Sequence, residues 1–339
     1  MDEREVRSAP LIALSGVIAG MGLDTASVTR DLGNGAERLD DVDNAIEYCD
    51  LGRAFARAVD ATCCPHLGLE VGRRAGLDVL GVIGQASASA VDLGSALRFI
   101  ARYLHLHDRA AFLSLRQWGD RAALGYVVHL PDVPGVEIID DTVLAIIQES
   151  LRLLAGQAWR ASEARLCRAR PEDVSPYQDA FGTSLCFGSR YAELVFPARD
   201  LERPLASADP RAFAEVTAEL DAMVRLTSTG CAERVRRLLR RLLMVDEMPR
   251  LAHLIQVARL LGLHPRTLNR RLRDEGTSFK GLIAETRLDI ARQLLRNSQL
   301  TIIEIAATLG YGDPTAFCRA FRCAVGVSPS VWRAEHSPD

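Results

Sequence analysis

A short segment near residue 270 carries side chains suited to hydrogen bonding with planar groups whose edges present donors and acceptors. Within "RTLNRRLR" these side chains belong to Arg266, Asn269, Arg270 and Arg273. A guanidinium group can bond to O6 and N7 of guanine at once, and a carboxamide can bond to N6 and N7 of adenine. If the segment is helical, the four residues share one face, because helical neighbours recur every three to four positions. The chemistry indicated is recognition of DNA bases and phosphates.

The sequence around this segment is repeated 48 residues further along the chain. The segment Val257–Leu272 aligns with Ile305–Phe321. In each copy a small residue precedes a glycine by four positions, and two apolar residues four apart follow; the pairs are Ala258 and Ala306, Gly262 and Gly310, Leu268 and Phe317, and Leu272 and Phe321. A close helix crossing needs the alanine, and a turn with positive φ favours the glycine. Two copies predict two helix-turn-helix motifs.

The segment between the copies predicts a linking helix. Apolar residues at Phe279, Ile283, Ile290 and Leu294 recur at helical spacing, and a helix is predicted from Lys280 to Arg296. Its 17 residues span about 26 Å at about 1.5 Å per residue. A rigid connector of this length suits two recognition helices that enter major grooves about one DNA turn, or about 34 Å, apart.

The charge distribution separates the two ends of the chain. The 339-residue chain has a net charge of −3. Residues 231–339 contain 18 Lys and Arg against 11 Asp and Glu (net +7), whereas residues 1–230 contain 23 against 33 (net −10). Lys280 is the only lysine, so the basic character is almost entirely arginine. Only the C-terminal part is therefore expected to meet a polyanion.

The candidate DNA-binding residues follow from the helical faces left free by the apolar anchors. They are Arg266, Thr267, Asn269, Arg270 and Arg273 on the first recognition helix, and Thr315, Cys318, Arg319 and Arg322 on the second. Thr315 and Cys318 are short, so the second helix is expected to anchor phosphates through its arginines more than to discriminate bases. The alternative for any single arginine is a solvated surface charge.

Residues 231–335 resemble the DNA-binding domain of the AraC/XylS family of bacterial transcription regulators. The resemblance is carried by "VARLLGLHPRTLNRRLRDEGTSF", "RLDIARQLL" and "IIEIAATLGYGDPTAFCRAFRCAVGVSPSVWR". In that family the base-reading positions match Arg266, Asn269 and Arg270, and Thr315, Cys318 and Arg319, here. The chain departs from the family at His264, where a Ser or Thr N-cap is usual, and Pro265 at the first helical position partly compensates.

The N-terminal part predicts a mixed α+β fold with a small antiparallel sheet. Residues 1–75 are expected to be helical, as is Asp92–Leu106, whose apolar residues recur at helical spacing. "AFLSLRQWG" and "RAALGYVVHL" predict a hairpin, and "EARLCRAR" and "AELVFP" predict further strands. The predicted organisation is a sensing and dimerisation domain over 1–205, a linker or helix over 206–230, and an all-α domain with two helix-turn-helix motifs joined by a linking helix over 231–335.

The N-terminal part resembles one branch of the same family, which includes the ornithine-utilisation regulators and the mycobacterial virulence regulator. The resemblance lies in "GVIGQASASAVDLGSALRFIARYLHLHD" and "FGTSLCFGSRYAELVFPARDLERPL". Relatives tend to have Ser-Pro-Thr-Leu where this chain has Ser89-Ala90-Val91-Asp92-Leu93. The resemblance implies a domain that senses a small molecule and mediates dimerisation, without indicating the ligand or its pocket residues.

Other chemistry has little support in the sequence. None of the eight cysteines forms a CxxC pair, and "CCPHLG" offers adjacent thiols that ligate one metal poorly. No phosphate-binding loop, nucleophile elbow or HExxH motif occurs. We therefore expect no catalytic residues, no metal, no cofactor and no enzymatic activity. A thiol switch at Cys318 and Cys323 remains an alternative, as does an enzyme domain fused to a DNA-binding domain.

The sequence thus predicts a sequence-specific DNA-binding transcription regulator, most often an activator in the resembled family, that responds to a small-molecule effector. A ligand-independent repressor is a second alternative. The expected partners are double-stranded promoter DNA, RNA polymerase, an effector and a second copy of the chain. A cytoplasmic location is expected, because no apolar run reaches the roughly 18 residues that cross a bilayer. The apolar start Ala9–Leu23 follows an acidic flank, unlike an export signal.

Overall fold

The computed structural model describes the chain except for residues 1–3, 30–40, 43, 129, 131–132, 190, 227–229, 246–253, 262, 299 and 337–339. Two compact units make up the chain. The first comprises Met1–Val128 and Val133–Met223, and the second contains Val224–Asp339.

The helices of the first unit carry most of its residues. Their bounds are α1 (Ala9–Gly20), α2 (Ala26–Thr29), α3 (Tyr48–Thr62), α4 (Leu67–Ala75), α5 (Val82–Ser87), α6 (Leu93–Tyr103), α7 (Val136–Ala155), α8 (Ser175–Phe181) and α9 (Pro210–Leu226). The helix predicted within Asp92–Leu106 is confirmed as α6. It begins after Asp92 because that carboxylate accepts the backbone N–H of Ser95 at 2.6 Å, which satisfies a donor that the first helical turn leaves unpaired.

The strands of the first unit are β1 (Glu5–Arg7), β2 (Ala45–Glu47), β3 (Ala111–Trp118), β4 (Arg121–Val128), β5 (Glu163–Arg165), β6 (Ser184–Cys186) and β7 (Ala192–Pro197). Five of them form one sheet in the order β3-β4-β7-β5-β6. Neighbours are antiparallel except β5 and β6, which are parallel. The strands predicted in "EARLCRAR" and "AELVFP" are present as β5 and β7. The three-residue strand β6, which is too short to show a sequence period, adds a parallel neighbour to the antiparallel sheet that the sequence predicts.

The hairpin predicted from the two alternating segments is confirmed. β3 and β4 pair from Ala111 opposite Val128 to Trp118 opposite Arg121. Gly119 closes the turn with φ of 54°, a left-handed conformation that glycine adopts without steric cost. Opposed residues share a sheet face, so the register places Leu113 and Tyr126 on the same side.

The prediction that residues 1–75 are entirely helical is wrong. β1 and β2 pair as a two-stranded antiparallel sheet, with Val6 opposite Ile46. Both residues are buried, so each strand serves to place one apolar side chain in the core. Helical spacing in the flanking segments hides strands of this length, since a strand signal needs about four residues of alternation.

The crossing of α4 and α7 is unusually close. A Cβ atom added at Gly72 would lie 2.2 Å from the carbonyl oxygen of Thr142, and one added at Gly68 would lie 2.5 Å from that of Ile138. Both glycines are fully buried positions on α4. Glycine is therefore required for the two backbones to approach, which brings α7 against the rest of the unit.

In the second unit, every element that the structure describes is a helix. The bounds are α10 (Cys231–Val245), α11 (Leu254–Leu260), α12 (Pro265–Asp274), α13 (Phe279–Asn297), α14 (Ile302–Thr308), α15 (Pro314–Val325) and α16 (Pro329–His336). The linking helix predicted over Lys280–Arg296 is confirmed as α13.

α13 is the centre of this unit. Leu282 and Leu295 are fully buried and Ile290 is almost so, whereas Phe279 and Ile283 of the predicted apolar face are only half-buried. α10 packs beside α13, and Arg240 of α10 forms an ion pair with Asp289 of α13 at 3.6 Å. The buried face of α13 is therefore rotated slightly from the predicted face, because α13 packs against α10 as well as against the flanking helix-turn-helix motifs.

Candidate functional site

The first candidate recognition helix, α12, has its apolar side buried and its basic side free. Leu268 and Leu272 are fully buried. Four predicted residues are exposed and one, Thr267, is half-buried; the exposed ones are Arg266, Asn269, Arg270 and Arg273. The two leucines hold α12 against its neighbours, so the basic side chains project from the opposite face.

The N-terminus of α12 is capped by an unexpected residue. The Nδ1 atom of His264 accepts the backbone N–H of Arg266 at 3.3 Å. Pro265 occupies the first helical position, where no N–H is needed. The imidazole therefore takes the place of the Ser or Thr hydroxyl that the family usually has, although the hydrogen bond is longer than the usual 2.9 to 3.0 Å or so.

The second candidate recognition helix, α15, repeats this arrangement. Phe317 and Phe321 are buried, while the predicted residues on the other face are exposed except for half-buried Cys318; the exposed ones are Thr315, Arg319 and Arg322. Asp313 caps the helix by accepting the N–H of Thr315 at 2.9 Å. That hydrogen bond holds the pKa of the Asp313 carboxyl below its usual value.

The turns before α12 and α15 are closed by equivalent hydrogen bonds. The N–H of Leu263 donates to the carbonyl of Ala258 at 2.8 Å, and that of Tyr311 donates to the carbonyl of Ala306 at 2.9 Å. Both alanines are fully buried. Gly310 has φ of 76°, as the repeat predicts, while its counterpart Gly262 lies outside the described residues. The two copies therefore share this closing hydrogen bond as well as their sequence pattern.

The arginines of the two faces are free to bind a ligand. Arg266, Arg270 and Arg273 on α12, and Arg319 and Arg322 on α15, have no ion-pair or hydrogen-bond partner for their guanidinium groups among the residues that the structure describes. Arg240 of α10, by contrast, forms an ion pair with Asp289. A set of unpaired guanidinium groups on two exposed faces is a surface suited to phosphates and base edges.

Two contacts that the sequence did not reveal fix these helices in place. Glu275, directly after α12, accepts the N–H groups of Cys231 at 2.6 Å and Ala232 at 2.8 Å, and so caps α10. Arg333 of α16 donates to the carbonyl of Leu295 at 3.1 Å and to that of Leu300 at 2.6 Å. Glu275 thus joins α12 to α10, and Arg333 joins α16 to the end of α13.

The first unit contains a separate candidate site, an internal cavity of about 80 Å³. This is several times the 10 to 15 Å³ or so that one water needs. The cavity lies between the β3–β4 hairpin and helices α3, α6 and α7, and its wall consists mainly of aliphatic side chains. Those contributed by α6, by Leu104 just after it and by α7 include Leu97, Ile100, Ile139, Ile146, Ile147 and Leu151. Apolar cavities with a few polar groups are typical of small-molecule sites.

A short chain of polar groups lies in this apolar wall. The hydroxyls of Tyr48 and Tyr126 are 2.8 Å apart, and Tyr126 donates to Asp108. Burial raises the pKa of Asp108 to about 6 and that of Tyr48 well above its usual value. Burial, assisted by the positive charge of Arg7, lowers the pKa of His107 to about 4, so this imidazole is neutral near pH 7.

No sequence signal identified this cavity. Tyr48, Asp108 and Tyr126 come from three distant segments, and only tertiary packing brings them together. The alternation in β4 does place Tyr126 on the inner face, but it does not show that the space beside it is unfilled. Of the two histidines in "YLHLHD", His105 is half-buried and His107 is buried in the cavity wall.

Neither a metal cluster nor a membrane span is evident in the described part of the chain. Among the described residues, no group of three or more His, Cys, Asp or Glu side chains could hold a metal ion. The described helices also include none with both the length and the apolar composition needed to cross a membrane.

Comparisons with known proteins agree with this architecture. Residues 22–205 match the model of the arabinose-binding domain of AraC transcription regulator, N-term, and residues 257–335 match a helix-turn-helix domain model. The chain therefore belongs to the AraC family of transcription regulators. It is a transcription regulator with a DNA-binding helix-turn-helix region at its C-terminal end, and the predicted family is confirmed.

Individual relatives identify the branch. The chain is 31% identical over 286 residues to the HTH-type transcriptional regulator VirS of Mycobacterium tuberculosis, covering 83% of each chain. It is 29% identical over 299 residues to the ornithine utilization regulator of Pseudomonas aeruginosa, covering 88% of this chain and 87% of the relative. The structure of transcriptional regulator CdpR from Pseudomonas aeruginosa matches with 24% identity and a TM-score of 0.47, over 95% of this chain and 96% of that chain. The two sequence relatives confirm the predicted branch.

Proposed function

We propose that this regulator reads a bipartite promoter site with two helix-turn-helix motifs, inserting α12 and α15 into separate major grooves. The observation that carries the proposal is the correspondence of the two helices at an offset of 49 residues. Arg270 corresponds to Arg319 and Arg273 to Arg322, and all four are exposed and unpaired among the described residues. Equivalent burial of the apolar anchors supports equivalent docking.

The side chains on the two faces suggest different roles. On α12, Arg266, Asn269 and Arg270 have the reach and donor geometry to read guanine and adenine edges, with Thr267 and Arg273 beside them. On α15, Thr315 and Cys318 are short, so Arg319 and Arg322 would contribute mainly through phosphates. The first half-site would therefore carry more sequence information than the second.

The linking helix sets the spacing between the half-sites. α13 has 19 residues, or about 28 Å of length at about 1.5 Å per residue. This is close to the separation of major grooves one turn apart on the same side of a duplex, about 34 Å. We assign DNA binding to residues 231–335, with 206–230 as a linker and 1–205 as the sensing domain.

The cavity of the first unit supports effector sensing. Its wall is mostly aliphatic and presents few polar groups, which suits reversible binding better than the fused-enzyme alternative, since catalysis needs a convergent cluster of reactive groups. A ligand that binds one arrangement of the regulator more tightly than another would shift its DNA-bound population. A ligand-independent repressor, the second alternative, would leave this cavity without a role.

We further propose that the protein activates transcription, recruits RNA polymerase, assembles as a homodimer and is located in the cytoplasm. The family resemblance supports the first three, and DNA binding itself supports the last.

The decisive experiment selects binding sites for the full chain from random duplexes and footprints the protein on the most enriched sequence. We expect two protected half-sites about one helical turn apart. A single protected half-site, or enrichment of no sequence, would contradict the two-motif proposal.

A further inference from the structure

The polar groups of the cavity lie together at one end, which consists of Tyr48, His107, Asp108 and Tyr126 and is called the polar end below. All four are at least nine-tenths buried. The remaining polar residues of the wall, Thr142 and Ser150, donate their hydroxyl protons to carbonyls of their own helix at 2.7 Å. Specific recognition of a ligand head group therefore falls to the polar end.

The donors at the polar end are almost all in use. The Tyr126 proton goes to Asp108, so in the 2.8 Å contact between the two tyrosines Tyr48 must be the donor. The other carboxylate oxygen of Asp108 accepts the N–H of Ala110 at 2.8 Å. The hydroxyl oxygen of Tyr48 can still accept a hydrogen bond, but its proton is already donated to Tyr126.

The polar end also contains a buried carboxyl group, that of Asp108, without a counter-ion. Asp108 is 3% exposed, and no Lys, Arg or His side chain forms an ion pair with it in the part of the chain that the structure describes. Buried charges in proteins are ordinarily paired, because an isolated one loses its hydration without compensation. Among the described residues no lysine or arginine lines the cavity, so its wall supplies no positive partner for Asp108. Arg7, whose charge acts on His107, is not among the lining residues.

We propose that the effector is an organic amine, with one ammonium group seated at the polar end and an apolar body against the aliphatic wall. The inference rests on the proposed role of the cavity as the effector site. The ammonium would donate to the Tyr48 oxygen, neutralise the charge of Asp108 and lie near the faces of the two tyrosine rings, which attract cations. His107 is neutral and has no hydrogen-bond partner among the described residues, so its ring can accept another N–H.

Other ligand classes fit the cavity less well. A sugar would bury several hydroxyls in an aliphatic wall, and each buried hydroxyl without a partner costs about 1 to 3 kcal/mol. A carboxylate would meet Asp108 and find no Lys or Arg in the wall. A neutral alcohol could donate to Tyr48, but it would leave the charge of Asp108 unpaired.

The test uses ligands of one shape that differ only in the head group. Thermal shift and calorimetric titration of the full chain would compare 1-aminohexane, 1-hexanol and hexanoate, with benzylamine and benzyl alcohol as a second pair and L-arabinose as the sugar. We expect the amines to bind at least about tenfold more tightly than the matched alcohols, and hexanoate and arabinose not to bind. Equal affinity for amine and alcohol, or absence of amine binding, would overturn the proposal.

Variants separate head-group recognition from simple uptake into an apolar space. Asp108→Asn should remove the preference for amine over alcohol while the alcohol still binds, and Tyr48→Phe should reduce that preference. Ser87→Ala is the control, because Ser87 is buried outside the cavity wall and its hydroxyl donates to the carbonyl of Gly84 within α5. An amine preference that survives Asp108→Asn would also overturn the proposal, and the wild-type series stands by itself if a variant does not fold.

Failure of this inference can be told apart from failure of the proposed function. If amines do not bind but another compound does, and that compound changes DNA binding of the full chain, the cavity remains an effector site and only the ligand class is wrong. If DNA binding itself shows no sequence preference, the regulator model fails whatever the cavity binds.

Discussion

The hydroxyl of Tyr103 on α6 donates a 2.6 Å hydrogen bond to the carboxylate of Asp221 on α9. Arg102 pairs with the same carboxylate at 2.8 Å, and the rings of Phe99 and Phe213 are 4.9 Å apart. The opposite side of α6 lines the cavity with Leu97 and other apolar residues. α6 therefore lies between the cavity and the helix that leads toward the DNA-binding region.

Removing this carboxylate should loosen α9. Asp221→Ala would cost the bond from Tyr103 and the pair with Arg102, or about 1 to 2 kcal/mol for a charged hydrogen bond at a partly exposed site. Hydrogen exchange of the full chain should show faster exchange in peptides of α9. Glu219→Ala, an exposed acidic residue on the same helix, is the control and should leave exchange unchanged. Similar acceleration in both variants would mean that the Tyr103–Asp221 contact does not hold α9.

Arg270→Ala should weaken specific DNA binding by about 1 to 3 kcal/mol and relax the preference at one base position. Fluorescence anisotropy against the selected site and single-base variants measures both effects. Arg271→Ala is the matched control, because Arg271 is exposed on the same helix but lies about 100° further round it. If the control loses as much discrimination as Arg270→Ala, the assignment of the reading face is wrong.

Arg319→Ala should behave differently, because α15 is proposed to grip phosphates. Affinity should fall by a similar factor for every DNA sequence, and the slope of log affinity against log salt should decrease by about 1. Anisotropy titrations at several salt concentrations give that slope. A change in base preference without a change in slope would instead assign base reading to Arg319.

Glu275→Gln should destabilise the junction between α12 and α10. The amide can replace only one of the two accepted hydrogen bonds and lacks the negative charge favoured at a helix N-terminus, a loss of about 1 to 2 kcal/mol. Hydrogen exchange in the first turn of α10 should accelerate, whereas Asp274→Asn at the neighbouring exposed position should not affect it. Unchanged protection in Glu275→Gln would show that the cap contributes little.

Two glycine substitutions should have opposite effects on the first unit. Gly72→Ala places a methyl group 2.2 Å from the Thr142 carbonyl, so α4 and α7 must separate, at a cost of about 1 to 3 kcal/mol or more. Gly16→Ala in α1 meets only the Arg74 side chain at 3.7 Å and should stabilise by about 0.5 to 1 kcal/mol. Thermal unfolding of the full chain measures both, and a stable Gly72→Ala protein would contradict the close helix crossing.

Amine binding, if it occurs as proposed, should weaken in acid. The pKa of Asp108 is raised to about 6, so its carboxylate is ionised near pH 7.5 and mostly protonated near pH 5. The neighbouring groups do not titrate strongly across this range: His107 has a pKa near 4, and Tyr48 and Tyr126 have raised pKa values. Asp140, which acts on Tyr48, has a pKa raised to about 8 and is largely protonated there.

Calorimetry should therefore find 1-aminohexane about tenfold weaker near pH 5 than near pH 7.5, since one pH unit below the pKa leaves about a tenth of the carboxylate ionised. The affinity for 1-hexanol should not change. A pH-independent amine affinity would show that Asp108 is not the group that recognises the charge.

The repeated motif could be predicted from the sequence because burial of its apolar anchors fixes which face of each helix points outward. Once Leu268 and Leu272 must point inward, helical geometry alone places Arg270 outward, and the same holds for Phe317, Phe321 and Arg319. Short elements were not readable. β1 and β2 have three residues each, and the His264 cap depends on a ring nitrogen whose orientation no sequence pattern specifies.

The cavity could not be predicted for a different reason. Tyr48 and Tyr126 are 78 positions apart, and nothing in either neighbourhood indicates that their hydroxyls meet. An unfilled volume is a property of the whole packing arrangement, since it depends on which side chains fail to reach one another. Likewise, Glu275 looked like an ordinary acidic residue after a helix, because its partners at Cys231 and Ala232 precede it by more than 40 positions.

The segment before the buried anchors is one residue longer in the second copy, because seven positions separate Gly310 from Phe317 and six separate Gly262 from Leu268. This difference has a practical consequence for redesigning specificity. The two helices therefore correspond at an offset of 49 residues, so Arg266 corresponds to Thr315 and Asn269 to Cys318. Thr315→Arg combined with Cys318→Asn would give both helices the same outward residues at these positions. A single polypeptide would then prefer an operator with two half-sites of the same sequence.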